Sequence, residues 1–200
     1  MRRVLSYIAA LSLICTMTCG IHAASFDPEV NYMSIMISAA ARGDLAAGLQ
    51  AEQLRNQKIQ ELGLEGEFTQ ISYWELNLLS KIIYAEAGSD WLSDEWKMSV
   101  GEVVLNRVNS PEFPNTIEDV LDQPGQYYGR GSSYFARLLP SERCVVLAMR
   151  LLEGERHLMN PAVVFQANFT QGSGVHLAYY DSYLGWTYFC YSSRPALYFV

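Results

Sequence analysis

The spacing of apolar residues along this chain changes at Pro161. Before that residue apolar positions recur at helical spacing, whereas after it they fall in short runs rich in Val, Phe and Tyr. Such runs are typical of strands, and they cover residues 162–169 and 187–191, with a weaker run at 196–200. Helices followed by a small sheet predict an α+β fold.

The first helical stretch is a prefix to the rest of the chain. Residues 31–62 are rich in Ala, Gln and Glu and predict two short helices that break near Gly43 and Asp44. The Gly-Leu-Glu-Gly segment at 63–66 is interpreted as a linker. Because the prefix carries no evident chemistry, we interpret it as a packing element in preference to one that contacts a partner outside the chain.

Four further helices are predicted from their starting residues. Ser72 and Glu75 form a capping box that begins a helix ending at Glu86. Ser93 begins the next helix, whose valines form a buried stripe and which stops at Asn109. A short helix over 116–121 and a longer one from Ser141 to about residue 152 complete this part.

Glu86 is the most informative residue of these helices. At helical spacing it shares an apolar stripe with four residues, Leu76, Leu79, Ile82 and Ile83. It also lies in the last turn, with Gly88 as the expected C-cap, where the helix dipole is negative. Burial and the dipole both favour the neutral acid, so we predict a raised pKa. A carboxyl group protonated near neutral pH suits a glycosidase proton donor, although a glutamate bending into solvent at a fraying helix end fits the same pattern.

The N-terminus predicts export. Arg2 and Arg3 precede an apolar run over residues 4–20, and small residues at Ala23 and Ala24 suit signal peptidase. We therefore expect residues 1–24 to be a cleaved signal peptide, leaving no membrane span in the mature protein. An uncleaved anchor is the weaker alternative.

Charge argues against two classes of partner. Loss of Arg2 and Arg3 with the signal takes the formal net charge from −7 to −9. An acidic chain is poorly suited to bind nucleic acid or an anionic membrane surface. The thirteen Tyr and four Trp residues suit stacking on sugars, although most of them are expected to be ordinary core or surface residues.

The cysteines and histidines give no sign of a metal site or a cofactor. Beyond the signal only Cys144 and Cys190 remain, and these two allow one disulfide without defining it. The sequence contains no HExxH motif and no paired CxxC motif, so we expect no metal. It also has no GxSxG motif.

Four motifs in order resemble the cell wall hydrolase family of spore cortex-lytic enzymes. They are YAEA at 84–87, VVLNRV at 103–108, FPNTI at 113–117 and QPGQY at 123–127. The resemblance extends over roughly 76–191. It implies a lysozyme-like helical domain with a small antiparallel sheet, preceded here by the short helical prefix.

The resemblance also implies a function and a domain organisation. The family cleaves peptidoglycan between N-acetylmuramic acid and N-acetylglucosamine, and its catalytic glutamate corresponds to Glu86. We accordingly expect a helical N-terminal segment at 25–66 and a catalytic domain at 67–200. The expected protein is a secreted monomer in the cell wall or spore envelope, acting on peptidoglycan without a cofactor.

The mechanism depends on the number of carboxylates. A conventional glycosidase needs two, and the candidates for the second are Asp90, Asp94, Glu95 and Glu102. Asp94 and Glu95 are explained as first-turn helix residues, and Glu102 is expected on a solvated face. The resemblance implies a lytic transglycosylase, because members of this cell wall hydrolase family use one acid and form a 1,6-anhydro ring. Hydrolysis by water stays open as the alternative.

Residues with supporting roles follow from the same resemblance. Tyr127 is a candidate for stacking on a sugar or for loop packing, and Gln166 and Asn168 are candidates to bind N-acetyl groups. Thr187 stands where the family often has a histidine, so it is a candidate substrate ligand that cannot carry a charge. Asn106 and Arg107 are expected to hold the fold together.

Three other interpretations remain. Cys144 at a helix start, with His157 and His176, suggests a cysteine peptidase, although its apolar neighbours favour a buried, inert thiol. A wall-binding module without activity would explain Thr187 but not Glu86. An exported α+β domain whose motifs only pack the core is the third interpretation, and the order of the four motifs argues against it.

Overall fold

A computed structural model describes residues 28–127 and 129–198 of the chain. The predicted signal peptide, residues 1–24, lies outside them. The described residues form seven α-helices and three strands. In chain order these are α1 (Pro28–Arg42), α2 (Leu45–Glu61), α3 (Tyr73–Ala87), α4 (Asp94–Val108), α5 (Ile117–Leu121), α6 (Ser133–Arg137), α7 (Glu142–Leu152), β1 (Val163–Ala167), β2 (Val175–Asp181) and β3 (Gly185–Tyr191).

The three strands form one antiparallel sheet in the order β1-β3-β2. The predicted α+β fold, with helices first and a small antiparallel sheet after them, is confirmed. The strands predicted at 162–169 and 187–191 correspond to β1 and to most of β3. β2 was not predicted, because its residues are mostly half-exposed and do not show a clean alternation of apolar and polar positions.

The strand predicted at 196–200 is wrong. Residues Pro195–Tyr198 form a 3-10 turn, and residues 199 and 200 lie outside the described part. The Tyr198 hydroxyl donates to Glu112 at 2.8 Å and lies 2.5 Å from the Ser110 hydroxyl. These polar contacts hold the segment against the loop after α4, away from a sheet edge.

Helix α3 lies at the centre of the molecule. Its apolar residues Leu76, Leu79, Ile82 and Ile83 are almost completely buried, and α3 packs against α4 and α7. Gly101 of α4 allows the three helices to approach closely, since a Cβ there would lie 2.5 Å from Leu151 and 2.8 Å from Ile83. This packing fixes the position of the helix that carries Glu86.

Helices α1 and α2 share the same hydrophobic core. Met33, Met36 and Ala51 are buried in one cluster with the residues of α3, α4 and α7. Gly48 lies under the ring of Tyr73, where a Cβ would come within 2.0 Å of the ring. The Tyr73 hydroxyl also donates to the Asp44 carbonyl at 3.2 Å. The prefix is therefore a packing element, while the boundary near residue 66 stays a prediction.

Most helix starts agree with the sequence, but α6 (Ser133–Arg137) was not predicted and the start of α3 differs in detail. The Ser93 and Ser141 hydroxyls accept backbone N–H groups of the first turn, as predicted. Ser72 stands at the N-cap of α3, but its side chain makes no capping hydrogen bond. The Tyr73 N–H instead donates to Glu52 of α2 at 2.9 Å. The predicted capping box was therefore wrong, because the Glu52 carboxylate of the packed prefix accepts the first backbone N–H of α3.

In the described parts of the chain, none of the helices is long and apolar enough to cross a membrane.

Candidate active site

Glu86 lies in the last turn of α3, with Gly88 at the C-cap. Its side chain is exposed, while the four residues that share its stripe are buried. The prediction of a buried Glu86 was therefore wrong, because in the last turn of α3 Ala87 packs into the core while Ala85 and Glu86 face solvent. Solvent reaches the side chain, yet the protein around the carboxylate removes part of its hydration and raises its pKa, as predicted.

The end of α3 is held by a buried lysine. Lys97 of α4 is almost inaccessible to solvent, and its ammonium group donates to the carbonyl oxygens of Ala87 and, at 2.8 Å, of Ser89. Burial lowers the pKa of Lys97. A cation at this position also satisfies carbonyl groups that a helix C-terminus leaves without partners. The backbone on the C-terminal side of Glu86 is therefore fixed from inside the protein.

Sequence reasoning missed Lys97, although a signal was present. Lys97 lies three residues before Val100 and seven before Val104, so it shares their apolar stripe. A charged residue within an apolar stripe was the same signal that singled out Glu86.

Glu102 is buried, which contradicts the solvated face predicted for it. Its carboxylate accepts the backbone N–H groups of His157, Leu158 and Met159 at 2.6, 2.8 and 3.1 Å. Three such bonds compensate for the burial of a charged group. Glu102 thus anchors the turn before β1, a tertiary contact that helical periodicity does not reveal.

Two of the other carboxylates near Glu86 in sequence are also engaged. Asp94 forms an ion pair with Arg143, at 2.7 Å between a carboxylate oxygen and Nε. Glu95 is exposed, and hydrogen bonds from its own backbone N–H and from Ser93 lower its pKa. Asp90 is exposed in the loop between α3 and α4.

Tyr127 is the predicted site residue that the structure brings near Glu86. Burial raises the pKa of its phenol, Arg107 opposes this shift, and the Glu86 charge adds to it. The two side chains are therefore within electrostatic reach of each other. The guanidinium carbon of Arg107 lies 5.3 Å from the centre of the Tyr127 ring, so this ring also packs against the protein. An open pocket of about 320 Å³ lies beside Tyr127 and is lined by residues of the ranges 121–127 and 129–131.

Asn106 and Arg107 join α4 to β1, as predicted. The Asn106 amide donates to the carbonyl groups of Asn160 and Val163 at 3.1 and 3.0 Å, and Arg107 Nε donates to Val164 at 2.7 Å. The same guanidinium lies over the rings of Phe113 and Phe165. Arg107 therefore supports Tyr127 on a rigid base formed by α4 and the sheet.

Gln166 and Thr187 lie on one face of the sheet. Gln166 is paired with Phe189, and Thr187 is paired with Tyr179. Since Phe189 is buried and Tyr179 stacks on Trp96 at 5.1 Å, this face is turned toward the helices. Asn168 is exposed, one residue after β1 ends. Contact of the three residues with a sugar stays a prediction.

The cysteine peptidase interpretation finds no support. Cys144 and Cys190 are both buried free thiols, so the disulfide that the sequence allowed does not form. Burial raises the pKa of Cys144, which disfavours the nucleophilic thiolate. The His157 and His176 rings are hydrogen-bonded to Tyr179 and Tyr191. Within the described ranges, no three His, Cys, Asp or Glu side chains are grouped to hold a metal ion.

Comparison with known proteins matches part of the chain to one family model. The family model described as Cell Wall Hydrolase matches residues 93–183, which confirms the resemblance seen in the motifs. The matched range contains α4, the loop of Tyr127 and most of the sheet, and it begins seven residues after Glu86. No curated protein and no solved structure matches the chain.

Proposed function

From the match to the cell wall hydrolase family over residues 93–183, we propose that this chain cleaves the glycan strands of peptidoglycan, with Glu86 as the acid. The bond cleaved is the one between N-acetylmuramic acid and N-acetylglucosamine. The raised pKa of Glu86, at an exposed helix end, is the observation that carries the proposal. A carboxyl group that keeps its proton above the usual range can protonate the oxygen of a glycosidic bond.

The proposed reaction is that of a lytic transglycosylase. Glu86 donates its proton to the glycosidic oxygen, and the bond from this oxygen to the anomeric carbon of muramic acid breaks. The C6 hydroxyl of the same sugar attacks the anomeric carbon, and the Glu86 carboxylate accepts the hydroxyl proton. One C–O bond breaks and another forms, no water is consumed, and Glu86 ends in its original protonation state. The products are a free 4-hydroxyl group and a 1,6-anhydro ring.

A single acid agrees with the state of the other carboxylates. Glu102 is occupied by three backbone N–H groups and Asp94 by Arg143. Glu95 accepts hydrogen bonds from its own backbone N–H and from Ser93 in the first turn of its helix. A retaining or inverting hydrolase needs a second carboxylate facing the same bond. Asp90, exposed in the loop after α3, is the remaining candidate if hydrolysis occurs.

Tyr127 is proposed to position the sugar next to Glu86. Its phenol keeps its proton over a wider pH range because burial and the Glu86 charge raise its pKa. One side of its ring is covered by Arg107, so the hydroxyl and the other side are proposed to face the substrate. Gln166, Asn168 and Thr187 are proposed to bind N-acetyl and hydroxyl groups of the glycan.

The proposal includes export and a monomeric state. A cleaved signal at residues 1–24 would place the protein in the cell wall or spore envelope, where its substrate lies. The proposed catalytic domain covers residues 67–200, with α1 and α2 packed on it as an N-terminal segment at 25–66.

The test compares the products that three proteins release from purified peptidoglycan. These are the mature protein, its Glu86→Gln variant, and Glu95→Gln as a matched control, since Glu95 is an exposed glutamate in the next helix. We expect anhydro-muropeptides in the mass spectrum from the wild type and from Glu95→Gln, and none from Glu86→Gln.

Other results of this test would support one of the alternative functions. Reducing-end muropeptides that disappear in Glu86→Gln would indicate a hydrolytic muramidase with Asp90 as the next residue to substitute. Binding to the wall without any release would favour a non-catalytic module. Equal release by wild type and Glu86→Gln would remove Glu86 from the mechanism.

A further inference from the structure

The β2–β3 hairpin exposes a row of aromatic side chains. Tyr180 and Trp186 are cross-strand partners whose ring centres lie 5.1 Å apart, and Tyr188 stacks on Trp186 at 5.7 Å and 17°. Tyr180 is 61% and Trp186 47% exposed, and Tyr183 in the connecting turn is 88% exposed. Large aromatic side chains normally bury much of their surface, so their concentration on one hairpin points to a binding role.

The row lies on the sheet face opposite to the candidate substrate ligands. Side chains alternate along a strand, so Trp186 and Tyr188 point away from the side of Thr187 and Phe189. Because Phe189 is buried and Tyr179 packs on Trp96, the helices cover that other side. The aromatic row therefore faces solvent.

Trp91 is bonded to the same hairpin but does not belong to the row. Its ring is 64% exposed, and its indole N–H donates to Asp181 at 3.2 Å. Asp181 also accepts the N–H groups of Tyr183 and Leu184 at 2.9 Å, and these hydrogen bonds lower its pKa. Since Asp181 alternates with Tyr180 along β2, this contact ties the loop after Glu86 to the side of the hairpin opposite to the row.

We propose that Tyr180, Tyr183, Trp186 and Tyr188 form a second glycan-binding surface, which holds a peptidoglycan strand away from the candidate active site by stacking on its pyranose rings. This inference rests on the proposed function, since the ligand is the same polymer. The surface would keep the enzyme on the wall between cleavage events.

Aromatic stacking, and not charge, suits this surface to a glycan strand. The chain carries a formal net charge of −7, and the peptide stems of peptidoglycan also carry carboxylates. Long-range attraction therefore does not bring the two together. Stacking of aromatic rings on the C–H faces of sugars requires no opposite charge, and the Tyr hydroxyls and Trp N–H groups supply polar edges suited to sugar hydroxyls. The aromatic surface can therefore bind the glycan strand through stacking and hydrogen bonds even though both molecules are acidic.

The test measures binding separately from catalysis. The mature chain carrying Glu86→Gln is sedimented with insoluble purified peptidoglycan, and the bound fraction is compared with that of Trp186→Ala and Tyr183→Ala in the same background. Tyr134→Ala is the matched control, since Tyr134 is 66% exposed on α6, outside the hairpin. We expect the Kd to rise about tenfold for Trp186→Ala and to stay within about twofold for Tyr134→Ala. Tyr183→Ala removes the most exposed ring and keeps the test valid if Trp186→Ala fails to fold.

Each outcome has a defined meaning. Unchanged binding in both hairpin variants would overturn the inference. A dimer of the Glu86→Gln protein in light scattering that Trp186→Ala abolishes, with wall binding unchanged, would also overturn it and assign the surface to self-association. Weaker wall binding together with normal cleavage of a short soluble glycan by the corresponding active variants would support it. Weaker wall binding by a protein that never cleaves peptidoglycan would support the surface and reject the proposed reaction.

Discussion

Replacement of Lys97 by methionine tests whether this lysine positions Glu86 for catalysis or only stabilises the fold. In the wild type, the Lys97 ammonium group satisfies the carbonyl oxygens of Ala87 and Ser89 at the end of α3. Methionine has a similar length but donates no hydrogen bond. The variant therefore leaves two carbonyl groups without this donor, on the residues that directly follow Glu86.

The expected loss of stability follows from these contacts. A hydrogen bond from a charged group contributes about 1.5–3 kcal/mol, and two are lost. Burial of the lysine charge, which lowers its pKa, costs part of this energy in the wild type, and methionine avoids that cost. The net decrease in the free energy of unfolding is then about 2–4 kcal/mol. For a chain of this length that lowers the Tm by about 5–15 °C.

The expected effect on activity is specific to turnover. Lys97 is almost inaccessible to solvent, so it does not contact the substrate, and the KM should change little. Movement of Glu86 away from the glycosidic oxygen should lower kcat about tenfold or more. Initial rates of anhydro-muropeptide release at several substrate concentrations, measured well below the lowered Tm, give both constants.

Lys81→Met is the matched control. Lys81 is also buried and belongs to α3, but its ammonium group donates to Ala136 at 2.9 Å, outside the loop after Glu86. It should lose about half as much stability, because one charged hydrogen bond is lost instead of two, and it should keep kcat within about twofold. An equal loss of kcat in both variants, or an unchanged kcat in Lys97→Met, would refute the positioning argument.

Three further predictions concern protonation and packing. The surrounding protein removes part of the hydration of the Glu86 carboxylate, so folding favours its protonated form. The wild type therefore loses stability as pH rises from the ordinary carboxyl range through the raised pKa. Calorimetry should show Glu86→Gln with the higher Tm at neutral pH and no advantage at low pH. Because burial raises the pKa of Cys144, iodoacetamide treatment of the folded protein should leave peptidoglycan cleavage unchanged. Gly48→Ala should destabilise the protein by about 1–3 kcal/mol in urea unfolding, since its Cβ overlaps the Tyr73 ring, while Gly66→Ala meets no atom within 4 Å and should be neutral.

These predictions have clear contrary results. A Tm difference for Glu86→Gln that does not vary with pH would contradict a raised pKa. If iodoacetamide inactivated the protein at the rate expected for an exposed thiol, the result would support the cysteine peptidase interpretation. Equal stability of the Gly48 and Gly66 variants would show that α2 does not pack on α3 as described.

The local elements were readable from the sequence because their signals are local. Ser93 and Ser141 start helices because their side chains cap backbone groups within the next turn. The break after α1 occurs at Gly43, which adopts a positive φ of 70°. β2 escaped prediction because its half-exposed residues are stabilised mainly by pairing with β3, a partner that the local pattern does not show.

The sequence by itself determined the α+β class, most helix boundaries and the motifs that match the family, and it singled out Glu86 as the candidate acid. Only the tertiary structure decided how the charged residues are used. Glu102 and Lys97 occupy the same helix, yet Glu102 holds the turn before β1 and Lys97 holds the end of α3. The nearness of Tyr127 to Glu86 arises in the same way, from elements about forty residues apart. Periodicity assigns a side chain to one face of its own helix, but its partners lie on other elements, and only their packing brings those partners within hydrogen-bonding distance.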